Sequence, residues 1–176
     1  MSKLLVVVDM QKDFIDGSLG TPEAVAIVPN VVEKIKNWDG NIIATLDTHK
    51  VNYLETREGK NLPVEHCIEN TEGHRIYPKV FEALCGNRAG NFGALAKRTF
   101  GSTALPELIR GEDIDYIELV GLCTDICVVS NALLLKANYP EMHIAVDASC
   151  CAGVTPESHK AALLTMKMCQ IDIIGE

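Results

Sequence analysis

The chain has few aromatic residues, no surplus of basic charge and no long apolar run, and each deficit excludes a class of protein. Aromatic residues make up 5% of the 176 residues and hydrophobic residues 47%, so aliphatic side chains must build most of the core. Lys and Arg number 16 against 24 Asp and Glu, which gives a net charge of −8. Since no basic cluster is present to neutralise a phosphate backbone, we expect no nucleic-acid partner.

The first apolar run is too short for a membrane span or a signal peptide. It covers 4–8 and ends at Asp9, whereas a membrane helix needs about 20 apolar residues. The seven cysteines are odd in number and lack the regular spacing of a secreted disulfide framework. These features predict a cytoplasmic protein with reduced thiols and no membrane contact.

Short apolar runs alternate with helical patterns along the whole chain. Strands that are apolar on both faces, separated by amphipathic helices, predict an α/β fold with a mostly parallel sheet covered on two sides. The length suits a single domain, 1–176, and we find no linker, repeat or low-complexity segment. The predicted strands are 4–8, 41–46, about 92–97, 116–122, 143–146 and 172–174, and the predicted helices are 24–38, 127–137 and 156–169. The polar stretch 47–93 lacks periodicity and is predicted to be a long irregular loop, a kind of segment that is usually either functional or disordered.

Residues with chemical potential lie at the ends of four predicted strands. They are Asp9, the pair Asp47 and His49, Lys97, and Cys127. The carboxyl ends of parallel strands share one edge of a sheet, where ligands bind. Cys127 is predicted in the first turn of a helix, where free N–H groups and the helix dipole favour the thiolate. An acid, a lysine and such a cysteine can divide the work of acyl transfer.

Each of these residues also has a structural interpretation. A cysteine between a strand and a helix is often a small buried hydrophobe. An acid after a strand is often a turn residue, a lysine there is often a solvated charge, and Asp47 with His49 fits a turn cap. Cys150 and Cys151 are predicted to follow a strand at the same edge, where packing is the favoured role over a redox role.

Three motifs in order resemble those of the isochorismatase-like cysteine hydrolases, most closely the nicotinamidase-like branch. They occupy Val7 to Phe14, Lys97 to Ser102 and Gly121 to Val128, so that the resemblance covers nearly the whole chain. The resemblance implies a single three-layer α/β/α domain. It also implies a hydrolase that splits an amide C–N bond through a cysteine thioester.

The resemblance assigns roles to four residues. Asp9 is the general base and later the acid, Lys97 stabilises the thiolate, and Cys127 is the nucleophile. The backbone N–H groups of Cys123 and Cys127 form an oxyanion hole. The resemblance further implies a cis peptide bond between Leu122 and Cys123.

A candidate metal site lies in the polar stretch that follows the second predicted strand. Asp47 and His49 lie on the same side of an extended segment, with His66 further along, and such ligands suit Zn²⁺, Fe²⁺ or Mn²⁺. The nicotinamidase-like branch binds an ion with an Asp-x-His pair, a third ligand from the next loop and a final His. The resemblance therefore implies Asp47, His49, a glutamate and His66 as ligands, with zinc as the first choice. Glu58 is the preferred glutamate, and Glu55 is the alternative.

The resemblance also bears on the substrate. Phe14 matches an aromatic residue that lines the family's pocket, whereas Pro63 and Glu65 depart from the family's pattern. The expected reaction is the conversion of nicotinamide to nicotinic acid and ammonia, a step of NAD salvage, in a protein that forms a homo-oligomer. One alternative is a metal-independent relative that acts on a ureido or carbamoyl substrate. An alternative of another class is a non-catalytic, flavodoxin-like protein that senses redox state or binds zinc.

Overall fold

Six parallel strands form one sheet, and the order of the strands creates a crevice at its centre. The computed structural model describes residues 2–88 and 92–176, and its strands are β1 (Lys3–Val8), β2 (Asn41–Asp47), β3 (Phe92–Lys97), β4 (Tyr116–Leu122), β5 (His143–Ala152) and β6 (Asp172–Ile174). Their order in the sheet is β3-β2-β1-β4-β5-β6. The chain winds outward in opposite directions from β1 and β4, so the loops after these two strands separate and leave room for a ligand.

Helices cover both faces of this sheet. They are α1 (Lys12–Ile15), α2 (Pro22–Asn37), α3 (Arg57–Asn61), α4 (Pro78–Cys85), α5 (Ala104–Leu108), α6 (Val129–Asn138) and α7 (Pro156–Met168), with a 3₁₀ turn at Tyr53–Glu55 and a π-helical turn at Thr124–Val128. Alternate residues of β1 point to opposite faces, and two apolar cores result. One core includes α1, α2 and α4, and the other includes α5, α6 and α7. This arrangement confirms the predicted three-layer fold.

The strands and helices agree closely with the sequence-based predictions, and the main differences lie where local pattern is weak. β3 has the predicted bounds, and Thr155 caps α7 just before Pro156 in a capping box with Ser158. β5 extends beyond the predicted end at Val146, because a register shift lets it continue beside β4. Cys150 and Cys151 therefore lie inside β5, and the prediction that they follow a strand is wrong.

The polar stretch 47–93 is more ordered than a single long loop. It contains the 3₁₀ turn, α3 and α4, and α4 buries Val80, Ala83 and Leu84 at helical spacing. Residue 1 of the predicted domain and residues 89–91 of the predicted loop lie outside the described residues. Within the described ranges, no helix combines the length and apolar character that a membrane crossing requires.

Candidate active site

Asp9 lies at the crevice, immediately after β1. Its φ of 47° turns the chain away from the strand, and its side chain is completely buried. The hydroxyl of Thr45 on β2 donates to Asp9 Oδ1 at 2.7 Å. Gly121 on β4 lies beside Val8, and a Cβ there would meet the Val8 carbonyl at 2.1 Å. A glycine at 121 thus lets β4 approach the strand that carries Asp9.

Lys97 brings the acid and the thiol together. It is the last residue of β3 and pairs in register with Asp47, the last residue of β2. Its Nζ lies 2.5 Å from Asp9 Oδ2, 3.7 Å from Asp47 Oδ1 and 3.6 Å from Cys127 Sγ. All four side chains are buried. The three residues that the sequence nominated for acyl transfer therefore meet at one point.

Burial and mutual charge set the protonation of this group. Burial raises the pKa of Asp9, against the opposing charge of Lys97. Burial lowers the pKa of Lys97, but the negative charges around it, Asp9 foremost, outweigh this and raise it above its ordinary value. Burial also raises the pKa of the Cys127 thiol well above its ordinary value, and Asp9 raises it further. Burial of the thiol therefore opposes the effect of the helix terminus from which the sequence predicts a favoured thiolate.

Cys127, the predicted nucleophile, lies in the π-helical turn that precedes α6. The peptide bond between Leu122 and Cys123 is cis, as the resemblance predicted. The N–H groups of Ile126 and Val128 donate to the carbonyl of Cys123 at 3.1 and 3.0 Å, which closes the turn around Cys127. The first amides of a helix have no partner within that helix, so this turn can offer N–H donors to a ligand.

Two buried amide side chains that sequence reasoning missed fix the loops of the site. Asn131 on α6 donates to the carbonyl of Cys127 at 2.8 Å and accepts from the N–H of Ser102 at 2.9 Å. Gln11 exchanges hydrogen bonds with the backbone of Asp47, at 2.7 Å to its N–H and 2.9 Å to its carbonyl. Each amide joins segments remote in sequence. Only their polarity within otherwise apolar surroundings could have indicated them.

The four predicted metal ligands also converge. The ligand atoms of Asp47, His49, Glu58 and His66 all lie within 4.8 Å of one another. His49 Nε2 lies 2.8 Å from Asp47 Oδ2 and 3.6 Å from Glu58 Oε1, while His66 Nε2 lies 3.5 and 3.8 Å from the same oxygens. Glu55, the alternative glutamate, is exposed on the 3₁₀ turn. The geometry therefore favours Glu58 over Glu55.

The surroundings of this cluster suit a divalent ion. Ligands around a tetrahedral ion bound at about 2.0–2.1 Å lie about 3.3 Å apart, which falls within the 2.8–3.8 Å between the histidine nitrogens and the carboxylate oxygens. His66 Nδ1 lies 2.8 Å from the Val64 carbonyl, which leaves Nε2 free to ligate. Burial would raise the pKa of Asp47, but hydrogen bonds with His49 and His66 bring it well below its usual range. Asp47 is therefore ionised, which is the state that a metal ligand requires.

A cavity of about 250 Å³ opens between the candidate triad and the candidate metal cluster. Cys127, Asp47, Glu58 and His66 all face it. Phe14 forms part of the wall, and its ring centroid lies 5.5 Å from that of His66. The rest of the cavity's apolar wall is built by residues that were not predicted from the sequence to line it: Leu19, Leu62, Phe100, Ile126 and Val154. The cavity can hold a small ring with its carbonyl group near the sulfur.

The remaining chemistry-bearing residues lie outside this cavity. Pro63 and Glu65, which depart from the family's pattern, are exposed and do not line it. His74 contacts the Thr48 hydroxyl at 2.8 Å, and His159 contacts the Thr124 hydroxyl at 2.8 Å. Cys150 lines a different cavity, beside the C-terminal half of α2, and does not line the cavity at Cys127.

Known proteins share this architecture over the length of the chain. The isochorismatase domain matches residues 3–175. The nicotinamidase of Escherichia coli is 26% identical over 196 residues, which are 94% of this chain and 90% of that protein. The nicotinamidase/pyrazinamidase of Mycobacterium tuberculosis is 24% identical over 184 residues, or 98% of each chain.

A solved structure gives the same result in three dimensions. The pyrazinamidase of Pyrococcus horikoshii in complex with zinc superimposes with a TM-score of 0.82 at 28% identity and covers 100% of both chains. Since the domain match takes in nearly every residue, the chain belongs to the isochorismatase family of hydrolases.

Proposed function

We propose that this protein is a metal-dependent amidase that converts nicotinamide to nicotinic acid and ammonia. The observation that carries the proposal is the meeting of Asp9, Lys97 and Cys127, with Lys97 Nζ 2.5 Å from the carboxylate and 3.6 Å from the sulfur. Nicotinamide is the proposed amide because relatives of this chain are nicotinamidases. The cavity of about 250 Å³ suits a single small ring.

In the first half of the reaction, the thiol of Cys127 loses its proton and attacks the substrate. Asp9 takes the thiol proton while Lys97 stabilises the thiolate, and Cys127 attacks the amide carbonyl carbon. The N–H groups of Cys123 and Cys127 hold the oxyanion, and each such donor lowers the barrier by about 3–4 kcal/mol. The C–N bond then breaks, and Asp9 gives its proton to the departing nitrogen, so that ammonia leaves and a thioester remains.

In the second half, water resolves the thioester. Asp9, now ionised again, takes a proton from water as its oxygen attacks the thioester carbonyl. The C–S bond breaks, the acid product leaves and the proton returns to the sulfur. The raised pKa values of Asp9 and Cys127 suit this exchange, because one proton passes between two groups that both resist carrying a negative charge.

The fit of the ligand cluster supports the proposed metal dependence. Asp47, His49, Glu58 and His66 would hold a divalent ion, zinc first and iron or manganese as alternatives, with three of these side chains facing the cavity. Such an ion would supply a Lewis acid to a lone pair of the bound ligand. The metal-independent ureido or carbamoyl hydrolase gains no support from a chain that keeps this cluster.

The cellular setting forms the finer part of the proposal. All seven cysteines are free, which fits a reducing compartment such as the cytoplasm. A nicotinamidase there would serve NAD salvage. The substrate is a small molecule, and a homo-oligomer stays a prediction from the family resemblance.

Ammonia release from nicotinamide by metal-analysed protein tests the proposed function. We expect turnover that falls on chelation and returns when Zn²⁺, Fe²⁺ or Mn²⁺ is added back. Glu58→Gln should lower both metal content and turnover, and Glu55→Gln, three residues away and exposed, should change neither. Metal-replete protein that releases no ammonia from nicotinamide would move the substrate elsewhere. Full turnover by metal-free protein would favour the metal-independent alternative.

The non-catalytic alternative makes the opposite prediction for the triad. A redox or zinc-binding protein keeps its function after Asp9→Asn. The hydrolase loses its proton carrier in this variant, and ammonia release should fall by about 10²–10⁴-fold. Circular dichroism would establish that the variant is folded before the rates are compared.

A further inference from the structure

A second cavity adjoins the catalytic pocket on its outer side. This outer cavity has a volume of about 550 Å³, and its lining is Arg57, Glu58, Asn61, Leu62, Arg98, Thr99, Phe100 and Ile126. Four of these residues, Glu58, Leu62, Phe100 and Ile126, also line the catalytic pocket. The two cavities therefore share a wall. A ligand that is bound at Cys127 and longer than one ring would extend into the outer cavity.

Two arginines from different parts of the chain meet at the outer cavity. Arg57 begins α3, and Arg98 follows directly after β3. Within residues 2–88 and 92–176, neither guanidinium forms an ion pair within 4.0 Å or a side-chain hydrogen bond. Arg110 differs, because its Nη2 pairs with Glu107 at 2.6 Å. Unpaired guanidinium groups are the groups that proteins use to bind carboxylate and phosphate.

The charges along the catalytic pocket and the adjoining outer cavity favour one orientation of a ligand. The catalytic end carries the carboxylate of Asp47, Glu58 lies on the wall that both cavities share, and the outer end carries the two arginines. Arg98 helps to lower the pKa of Glu69, but the direct ion-pair partner of Glu69 is Lys50 and not Arg98. A ligand with one anionic end and one neutral amide would therefore place the anion outside and the amide inside.

We infer that the outer cavity is a subsite for the anionic end of a larger amide substrate, with a carboxylate or phosphate remote from the scissile amide. Arg57 and Arg98 are then specificity-determining residues. They select substrate by charge and take no part in bond cleavage. This inference rests on the proposed function, since it extends the substrates of that site from nicotinamide to anionic aryl amides.

Matched aryl amides test the inference. The series is 4-carbamoylbenzoate and its homologues with one or two methylenes before the carboxylate, each compared with its methyl ester. We expect at least one acid to exceed its ester about fivefold in kcat/KM through a lower KM, and the preference to shrink in high salt. A 4-carbamoylphenyl phosphate arm distinguishes a phosphate site from a carboxylate site.

Substitution of the arginines separates a subsite from general attraction. Arg57→Gln/Arg98→Gln should abolish the preference and leave the esters and nicotinamide unchanged. The matched control Arg110→Gln should keep the preference. Equal rates for every acid and phosphate with its neutral partner, or a preference that survives the double variant, would overturn the inference alone. Failure to hydrolyse any amide, nicotinamide included, would overturn the proposed function as well.

Discussion

Two lysines each lie between two carboxylates: the buried Lys97 at the end of β3 and the half-buried Lys34 on α2. Lys97 Nζ lies 2.5 Å from Asp9 and 3.7 Å from Asp47, and Lys34 Nζ lies 2.6 Å from Glu118 and 2.7 Å from Asp147. In both clusters, burial lowers the pKa of the lysine and the carboxylates outweigh it, so that the pKa is raised. By charge alone, the two clusters are alike.

What differs is the neighbour of each lysine. Lys97 has a thiol at 3.6 Å and the catalytic pocket beside it. Lys34 joins α2 to β4 and β5, and the Tyr116 hydroxyl donates to Glu118 at 2.8 Å, which adds to the ties within this cluster. An ion pair with buried carboxylates therefore does not by itself indicate a functional site. The nucleophile and the cavity distinguish the two.

The largest expected difference is in activity. Lys97→Met removes the cation that stabilises the thiolate, so we expect kcat/KM for nicotinamide to fall by about 10³-fold. Lys34→Met lies on the other cluster and should change kcat/KM by less than about threefold. Steady-state ammonia release at a temperature where both variants are folded measures this. Equal losses in the two variants would remove the distinction between the clusters.

The second expected difference is in stability. Lys34→Met leaves Glu118 and Asp147 buried without their cation, and we expect the free energy of unfolding to fall by about 2 kcal/mol. The matched variant Lys34→Met/Glu118→Gln removes one of the stranded charges and should regain part of the loss. Urea unfolding followed by circular dichroism gives both values. If Lys34→Met were as stable as the parent protein, the cluster around Lys34 would not anchor α2.

The third expected difference is in the response to acid. Burial raises the pKa of Asp147, but hydrogen bonds from Lys34 and Ser149 outweigh it and lower the pKa below 3.8. The carboxylate therefore contributes stability that is complete above its unfolded pKa, about 3.9, and is lost as the pH falls through the folded value. Asp147→Asn should be less stable at neutral pH and should lose stability less steeply below pH 4. Urea unfolding at several pH values measures the slope, and parallel curves would contradict the assignment.

The smallest expected effect concerns the second cysteine near a lysine. Cys150 lines the same cavity as Lys34. Burial raises the pKa of the Cys150 thiol to about 11, so this thiol is protonated at neutral pH. Cys150→Ala should leave kcat/KM within about twofold and cost about 1 kcal/mol in stability through lost packing. Loss of ammonia release in a folded Cys150→Ala protein would give this cysteine a role that the structure does not suggest.

The strands and the candidate triad were predictable, because both depend on local pattern. Apolar runs that end at a polar residue marked β1 at Asp9 and β3 at Lys97, and the parallel sheet brings such ends to one edge. The metal cluster needed the family resemblance, since the choice of Glu58 over Glu55 depends on how a loop folds. In the folded protein, the carboxylate of Glu58 lies beside the other candidate ligands, whereas Glu55 is exposed.

Other features could not be predicted, because they depend on contacts between residues remote in sequence. Asn131 contacts Ser102, 29 residues away, and Gln11 contacts Asp47, 36 residues away. The sign of the Cys127 pKa shift depends on burial, which no local motif reports. The outer cavity likewise arises where α3 and the segment after β3 come together.

Ammonia release by two cysteine variants tests whether Cys127 is the nucleophile of an amide hydrolase. Cys127→Ala and the exposed control Cys169→Ala would be assayed with nicotinamide at equal metal content. We expect that Cys169→Ala keeps the parental rate and that folded Cys127→Ala releases no ammonia above background. Release at the parental rate by folded, metal-replete Cys127→Ala would contradict it.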